Sequence, residues 1–202
     1  DGALLTASQP VSVSAGGRGW ATNGCGDDGM DGLVPTSALG REFAVRLPTG
    51  TDQTMNESRV RVIADVDGTE VRTDGALVTT LSAGSFYNFA PIALTYLQTS
   101  QPAMVWMNGS LNGCEVDTVL IPPIAFAPAL TELSLDFNVI ASTQNPAAEM
   151  ALLIASSAVG TVELNGAAPT FLSNETVPGR SDLSYVRFVV TPGDRNVRAR
   201  SD

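Results

Sequence analysis

Hydrophobic and polar residues alternate along most of this chain in short runs. The runs occupy positions 11–14, 43–47, 60–63, 69–73, 86–89 and 103–107, and then 118–121, 133–139, 150–154, 162–164, 185–190 and 196–200. A period of two in segments rich in Val, Thr, Phe and Tyr is typical of β-strands. The segment 146–156, rich in Ala, Glu, Met and Leu, is the best helix candidate. We predict strand for most of it as well, and therefore an almost helix-free protein.

Residue pairs that end in glycine separate these runs. They supply the positive backbone angles of tight hairpin turns, and their spacing is typical of a β-sandwich or barrel. The pairs are Asp67-Gly68, Asp74-Gly75, Ala83-Gly84, Asn108-Gly109, Asn165-Gly166 and Pro192-Gly193.

The two halves of the chain share landmarks in the same order, displaced by about ninety residues, as expected of a duplicated unit. The alternative is chance, because Gly, Pro and Val are common in any strand-rich chain. The clearest matches are Ser8-Gln9-Pro10 with Ser100-Gln101-Pro102, Cys25 with Cys114, Ile63-Ala64 with Ile154-Ala155, and Asp74-Gly75 with Asn165-Gly166.

These patterns predict an all-β protein built from two tandem, pseudo-symmetric β-sandwich-like units packed together. We place the first unit at residues 1–99 and the second at residues 100–202, with a boundary near Ser100. The chain then starts and ends on equivalent strands, so strands could be exchanged between units. A β-propeller-like arrangement is the alternative, because about four strands per half-unit could be counted as blades.

Charge and composition exclude several functions. The chain has 202 residues and a net charge of −10, with no His, and all 11 of its basic residues are Arg. This negative field argues against nucleic acid and against an anionic membrane surface as partners, and no window is apolar for long enough to span a bilayer. Without His there is no Ser-His or Cys-His catalytic pair. Several of the acidic residues stand next to Gly in predicted turns, so we expect no enzymatic activity.

The two cysteines occupy matching positions in the predicted copies. Cys25 and Cys114 could form a disulfide near an approximate two-fold axis, which would stabilise by about 4–5 kcal/mol in the chain-entropy model. The alternative is two small buried side chains, one in each unit. We expect no zinc site, because two Cys without His leave too few soft ligands.

One glycine-rich loop carries the best candidate for a binding site. Asp27, Asp28 and Asp31 crowd three carboxylates into the sequence DDGMDG, a weak calcium candidate that lacks the full pattern of a calcium loop. Trp20 precedes them in the same loop and is a candidate contact residue, together with Asp27 and Asp31. Trp106 lies within a predicted strand, which favours a core position. No other cofactor is predicted.

An ordered series of short motifs resembles the N-terminal domain family of IgGFc-binding proteins. Each motif alone is common in strands and turns. The resemblance rests on the order and spacing of the motifs and extends from Pro10 to Arg200. The motifs are PVSV at 10–13, LVP at 33–35, GREF at 40–43, VRVIA at 60–64, LSAGSFY at 81–87, QPAMV at 101–105, LIPP at 120–123 and VELNG at 162–166.

The resemblance implies a secreted, non-enzymatic adhesion or recognition module of a larger cell-surface protein. Its partner would be a protein or a glycan on a surface, and immunoglobulin binding does not transfer, because no residue set for it can be placed on this chain. The low cysteine content favours a bacterial surface protein. The alternative function is a structural subunit of a surface filament or coat assembled by strand exchange. The oligomeric state stays open.

Overall fold

The computed structural model describes residues 5–9, 11–17, 29–32, 34–47, 59–111, 114–126, 132–136, 148–194 and 196–200. Its strands are β1 (Ser14–Gly17), β2 (Gly29–Gly32), β3 (Gly40–Val45), β4 (Arg59–Ala64), β5 (Thr69–Thr73), β6 (Ala76–Leu81), β7 (Phe86–Phe89), β8 (Thr95–Leu111), β9 (Cys114–Leu120), β10 (Glu132–Asp136), β11 (Ala148–Ala155), β12 (Glu163–Leu164), β13 (Phe171–Val177), β14 (Arg180–Val190) and β15 (Asn196–Arg200).

The prediction of an all-β protein is confirmed. The helices of the described residues are short 3₁₀ turns, at Thr36–Ala38, Ile124–Phe126 and Ser156–Thr161, and none of them has the length and apolar character needed to cross a membrane. Residues 148–155 of the best helix candidate form the strand β11, as predicted.

The chain divides into two compact units, Asp1–Pro123 and Ile124–Asp202. This division differs from the boundary predicted near Ser100. Ser100 lies inside β8, which is 17 residues long. Both halves of β8 pair with strands of the first unit, so the backbone hydrogen bonds keep them in one compact body.

In the first unit, β8 pairs with two different sets of strands along its length. Its first half lies between β3 and β5, with Leu97 opposite both Phe43 and Thr73. Its second half lies between β4 and β9, with Trp106 opposite Arg61 and Leu120. Strands β6 and β7 extend the sheet beyond β5 and β4. One long strand therefore joins two halves of a sheet around a common core.

The core of the first unit follows from the alternation seen in the sequence. In β4, Val60, Val62 and Ala64 are buried, while the residues between them are half-buried on the opposite face. The inward residues of β4 pack with buried residues of β3, β5 and β8, among them Phe43, Val71, Leu97, Ala103 and Val105. Burying a side chain of this size contributes about 1.5–3 kcal/mol, and this burial fixes which face of each strand points inward.

The second unit is a small β-sandwich. It has two three-stranded antiparallel sheets, in the orders β10-β15-β12 and β11-β14-β13. Leu152 and Ile154 of β11 and Phe188 of β14 pack in one hydrophobic cluster with Val197 and Ala199 of β15. Because residues of both sheets share this cluster, the sheets lie face to face.

Most of the predicted glycine turns have the expected backbone. Among the described residues, Asp74 and Asn165 are the non-glycine residues with positive φ, at 49° and 51°. Gly75 and Gly166 follow them at 86° and 81°, as a type I′ hairpin turn requires. Positive φ also occurs at Gly68, Gly84 and Gly193.

The predicted turn at Asn108-Gly109 is wrong. Both residues lie inside β8, and the pairing with β9 shifts register between Met107 and Gly109. Glycine within a strand often marks a bulge, and here the strand partners on both sides of β8 keep the chain extended through it.

Several strand pairings of the first unit recur in the second. Asp74 bonds through its backbone N–H and its carboxylate to the backbone of Tyr96 in β8, and Asn165 makes both contacts to Asn196 in β15. The next residues along β8 and β15 are Leu97 and Val197. They pair with Thr73 and Leu164, the residues just before the two turns. Strand β3 pairs with the other edge of β8, and β10 pairs with the other edge of β15. These correspondences support the predicted duplication, which stays a hypothesis.

Candidate functional site

The outer face of β7, β4 and β8 carries a cluster of large side chains. We name this cluster the outer-face patch. Cross-strand register arranges it in two rows, because Arg61 is opposite both Asn88 and Trp106, and Ile63 is opposite both Phe86 and Met104. Directly opposed residues have Cβ atoms about 4.5–5.5 Å apart, so the side chains form one surface. The patch comprises Arg61, Ile63, Phe86, Asn88, Met104 and Trp106.

Arg61 lies at the centre of this patch and is held in place by β7. Its Nε donates to Oδ1 of Asn88 at 2.9 Å, and its guanidinium carbon lies 4.4 Å from the ring centre of Phe86. A guanidinium over an aromatic face is stabilised by about 0.5–1 kcal/mol at an exposed site. These contacts reduce the freedom of a long side chain before any partner arrives, which lowers the entropy cost of binding.

Trp106 forms the other end of the patch. It is half-buried, and its indole N–H donates to the sulfur of Met104 at 2.8 Å. The sequence favoured a core position for this residue. The core positions of this part of β8 belong to Ala103 and Val105, so strand alternation places Met104 and Trp106 on the outer face.

The residue types of the patch are those that dominate binding interfaces. Trp, Arg, Phe and Met are enriched at interface centres, and a few such residues carry most of the binding energy. Phe86 remains 44% exposed, so part of this apolar surface is open to a partner. Sequence reasoning missed the patch, although the alternation of Arg and Val in β4 indicates which residues of that strand face outward.

A second cluster on β3 and β8 is polar. The hydroxyl of Tyr96 donates to Oε1 of Glu42 at 2.6 Å, and Nε2 of Gln98 donates to the Tyr96 oxygen at 3.2 Å. Tyr96 is 6% exposed. Buried polar groups need such partners, and the contacts account for this cluster by stability alone.

The carboxyl group of Asp182 has a pKa below its ordinary value of 3.8 because Arg180 donates hydrogen bonds to it. This exposed pair begins β14. A carboxylate stabilised in its charged form is a poor proton donor at neutral pH, so the pair has the properties of a surface ion pair.

The predicted loop site falls mainly outside the described residues. Trp20, Cys25, Asp27 and Asp28 lie there. The structure places Asp31 in β2, where its backbone pairs with Ala15, and places Cys114 in β9, opposite Leu111. The Cys25–Cys114 disulfide and the contact role of Trp20, Asp27 and Asp31 therefore stay predictions.

The predicted calcium site is likewise not tested by the described residues. Within the described ranges, no group of three or more His, Cys, Asp and Glu is arranged to hold a metal ion. The calcium candidate depends on Asp27, Asp28 and Asp31 and stays a prediction.

Comparison with known proteins gives a family and no individual relative. No curated protein and no solved structure matches the chain significantly. The family described as IgGFc binding protein matches residues 1–202, the whole chain. The resemblance carried by the ordered motifs is thereby confirmed: the chain belongs to the IgGFc binding protein family.

Proposed function

We propose that this chain is an extracellular adhesion module that binds a protein partner through the outer-face patch. Membership of a family of secreted binding proteins makes an extracellular recognition role the general function. The family is one of binding proteins and is not known for catalysis. The adhesive role, the choice of this patch and a place on a bacterial cell surface are the specific parts of the proposal.

The observation that carries the proposal is the centre of the patch. Arg61 is oriented by Asn88 and Phe86, and Trp106 is fixed beside it by Met104. A rigid aromatic and guanidinium surface on a paired strand loses little entropy on binding, which favours recognition of a partner's folded surface.

The charge of the chain indicates what the partner's surface is like. A net charge of −10 attracts a basic protein over long range and repels an acidic one. Salt screens such steering over a Debye length of about 8 Å at physiological ionic strength. We therefore expect association to slow as salt is added, with a smaller effect on dissociation.

An array of extracellular proteins and surface glycans, probed with and without calcium, tests the proposal. Phe86→Ala and Arg61→Gln are expected to weaken binding to the selected protein at least ten-fold, as loss of a central interface residue does. Leu77→Ala is the matched control, because Leu77 is an exposed hydrophobic side chain, at 51%, on β6 of the same unit. Circular dichroism checks that each variant is folded.

The outcomes separate the two candidate binding surfaces. Loss of binding in the Phe86 and Arg61 variants supports the patch. Loss in Trp20→Ala or Asp27→Ala, with the patch variants unaffected, assigns binding to the glycine-rich loop and rejects the patch. A glycan as the only ligand contradicts the protein partner. If chelation changes neither binding nor the melting temperature, the calcium candidate at Asp27, Asp28 and Asp31 is rejected.

A second candidate function is structural, as a subunit of a surface filament or coat. The repeated sequence favours it, because Ser8-Gln9-Pro10 and Ser100-Gln101-Pro102 precede equivalent segments, each of which could form the same strand. Repeated strand exchange between such units would build a linear assembly.

A further inference from the structure

The second half of β8 completes the core of the first unit. This segment follows Ser100-Gln101-Pro102, where the predicted second copy begins. It pairs with β4 from Ala103 opposite Ala64 to Asn108 opposite Arg59. Ala103 and Val105 are 1% and 0% exposed and belong to the core cluster. The first strand of the second copy thus fills a place in the sheet of the first.

Among the described strands, the strand equivalent to β4 has no such neighbour. In the second unit this strand is β11, whose buried Leu152 and Ile154 take the places of Val60 and Val62. This equivalence differs by one residue from the sequence match of Ile63-Ala64 with Ile154-Ala155, because Ile63 faces outward and Ile154 is buried. β4 lies between β7 and β8. β11 pairs with β14, and among the described strands it stands at the end of its sheet, in the order β11-β14-β13. Its other edge is therefore the site that β8 occupies beside β4.

The backbone of β11 directs specific groups to this edge. In β4, the N–H of the inward-facing residue Ala64 donates to Ser85, just before β7. Backbone groups alternate in direction along a strand, so the outward-facing residues of β4 direct theirs to β8. By the same alternation, Ala151 and Leu153 of β11 direct their N–H and C=O groups to the open edge.

The chain also contains a segment suited to this edge. After Ser8-Gln9-Pro10, the residues Val11 and Val13 stand where Ala103 and Val105 follow Ser100-Gln101-Pro102. Val11 is 61% exposed, and residues 11–13 precede β1, outside its pairing with β2. The alternation of Val and Ser gives the segment one apolar face and one small polar face.

We propose that residues 11–16 of one copy of this chain add as an antiparallel strand to the open edge of β11 in a second copy. Val13 would lie opposite Ile154, as Val105 lies opposite Val62. The contact is head to tail and leaves one free donor and one free edge, so it propagates into a linear polymer. This inference deepens the second candidate function and does not depend on the outer-face patch.

Two proline variants test the contact from each side. Val105 accepts from the N–H of Ile121, on the side of β8 away from β4. Its counterpart Val13 therefore directs its N–H away from β11, and the neighbouring Ser12 directs its N–H towards β11. Ser12→Pro removes a strand N–H from the donor, and Ala151→Pro removes one from the open edge of β11. Proline is tolerated in an edge strand where the N–H faces solvent, and Ala151 is exposed. Ser12→Thr and Ala151→Thr are the matched controls, because they keep the N–H and the strand propensity. Circular dichroism checks folding, and analytical ultracentrifugation of the full chain measures assembly.

The wild-type chain and both Thr controls are expected to form species whose mass rises with concentration. Each Pro variant alone should weaken assembly at least ten-fold. An equimolar mixture of the two Pro variants should form heterodimers and nothing larger, because only one donor and one edge remain between them. A wild-type chain that stays monomeric at millimolar concentration, or Pro variants that assemble like wild type, overturns the proposal.

The same variants separate this proposal from the recognition function. Ser12→Pro keeps the outer-face patch, so it should bind the array-selected protein like wild type while failing to assemble. Loss of assembly with retained binding supports both proposals. Assembly that follows this pattern while no protein partner is found supports the strand contact alone.

Discussion

Gly40 shows how one missing side chain permits a close approach of two segments. It begins β3, and a Cβ built on it would overlap the ring of Pro123, which is buried. Because the contact is with a rigid ring, the neighbour can relieve it only by moving its backbone.

We therefore expect Gly40→Ala to reduce the free energy of unfolding by about 1–3 kcal/mol, the usual cost of overpacking. Gly160→Ala is the matched control. The φ of Gly160 is not positive, and a Cβ built on it meets nothing within 4 Å. Urea unfolding followed by circular dichroism measures both. Equal stability of the two variants would contradict the contact with Pro123.

At the scale of strands, β14 is joined to both of its neighbours by one arginine. Arg187 is 8% exposed; its guanidinium donates to Oε1 of Glu149 in β11 at 2.9 Å and to the hydroxyl of Ser173 in β13 at 2.8 Å. A buried charge is costly without a partner. The Glu149 side chain is 23% exposed, so water can reach the carboxylate but scarcely the guanidinium.

This asymmetry predicts unequal effects of removing the two partners. Glu149→Ala should cost about 3 kcal/mol, because it leaves a buried guanidinium without its carboxylate. Arg187→Met should cost less, since it fills the space and leaves a carboxylate that water can solvate. The double variant should be more stable than Glu149→Ala alone. A urea-unfolding cycle over the four proteins measures this, and equal costs for the two single changes would contradict it.

Strands were predictable from the sequence where one face is buried in the core. In β4, alternating burial follows the alternation of Arg and Val in the sequence. The strands β6 and β13 were not predicted. β6 exposes Leu77 and Val78, and β13 carries the polar run Ser173-Asn174-Glu175. Their pairing with β5 and β14 comes from backbone hydrogen bonds, which leave no hydrophobic period in the sequence.

The candidate sites were also only partly predictable from the sequence. Trp106 was visible in the sequence, but its position on the outer face depends on Ala103 and Val105 being the inward residues of β8. The neighbours that make it part of a patch, Arg61 and Phe86, are 45 and 20 positions earlier in the chain. Only the register of β7, β4 and β8 brings them together.

At the scale of the whole molecule, the two halves are expected to respond alike to equivalent changes. Asp74→Ala and Asn165→Ala should each cost about 1–2 kcal/mol. Each removes the side-chain acceptor of a strand N–H and places alanine at a positive φ, a conformation that favours Asp and Asn. Asp65→Ala controls for the loss of a carboxylate, because Asp65 is exposed in the loop after β4. Asp74→Asn should be tolerated, since Oδ1 and the tolerance for positive φ remain. Asn165→Asp should not be tolerated, because Nδ2 of Asn165 donates to Oδ1 of Asp194 at 2.7 Å and the change would place a second carboxylate there. Urea unfolding followed by circular dichroism measures all five, and a cost of the alanine changes confined to one half would contradict the equivalence on which the strand contact at β11 depends.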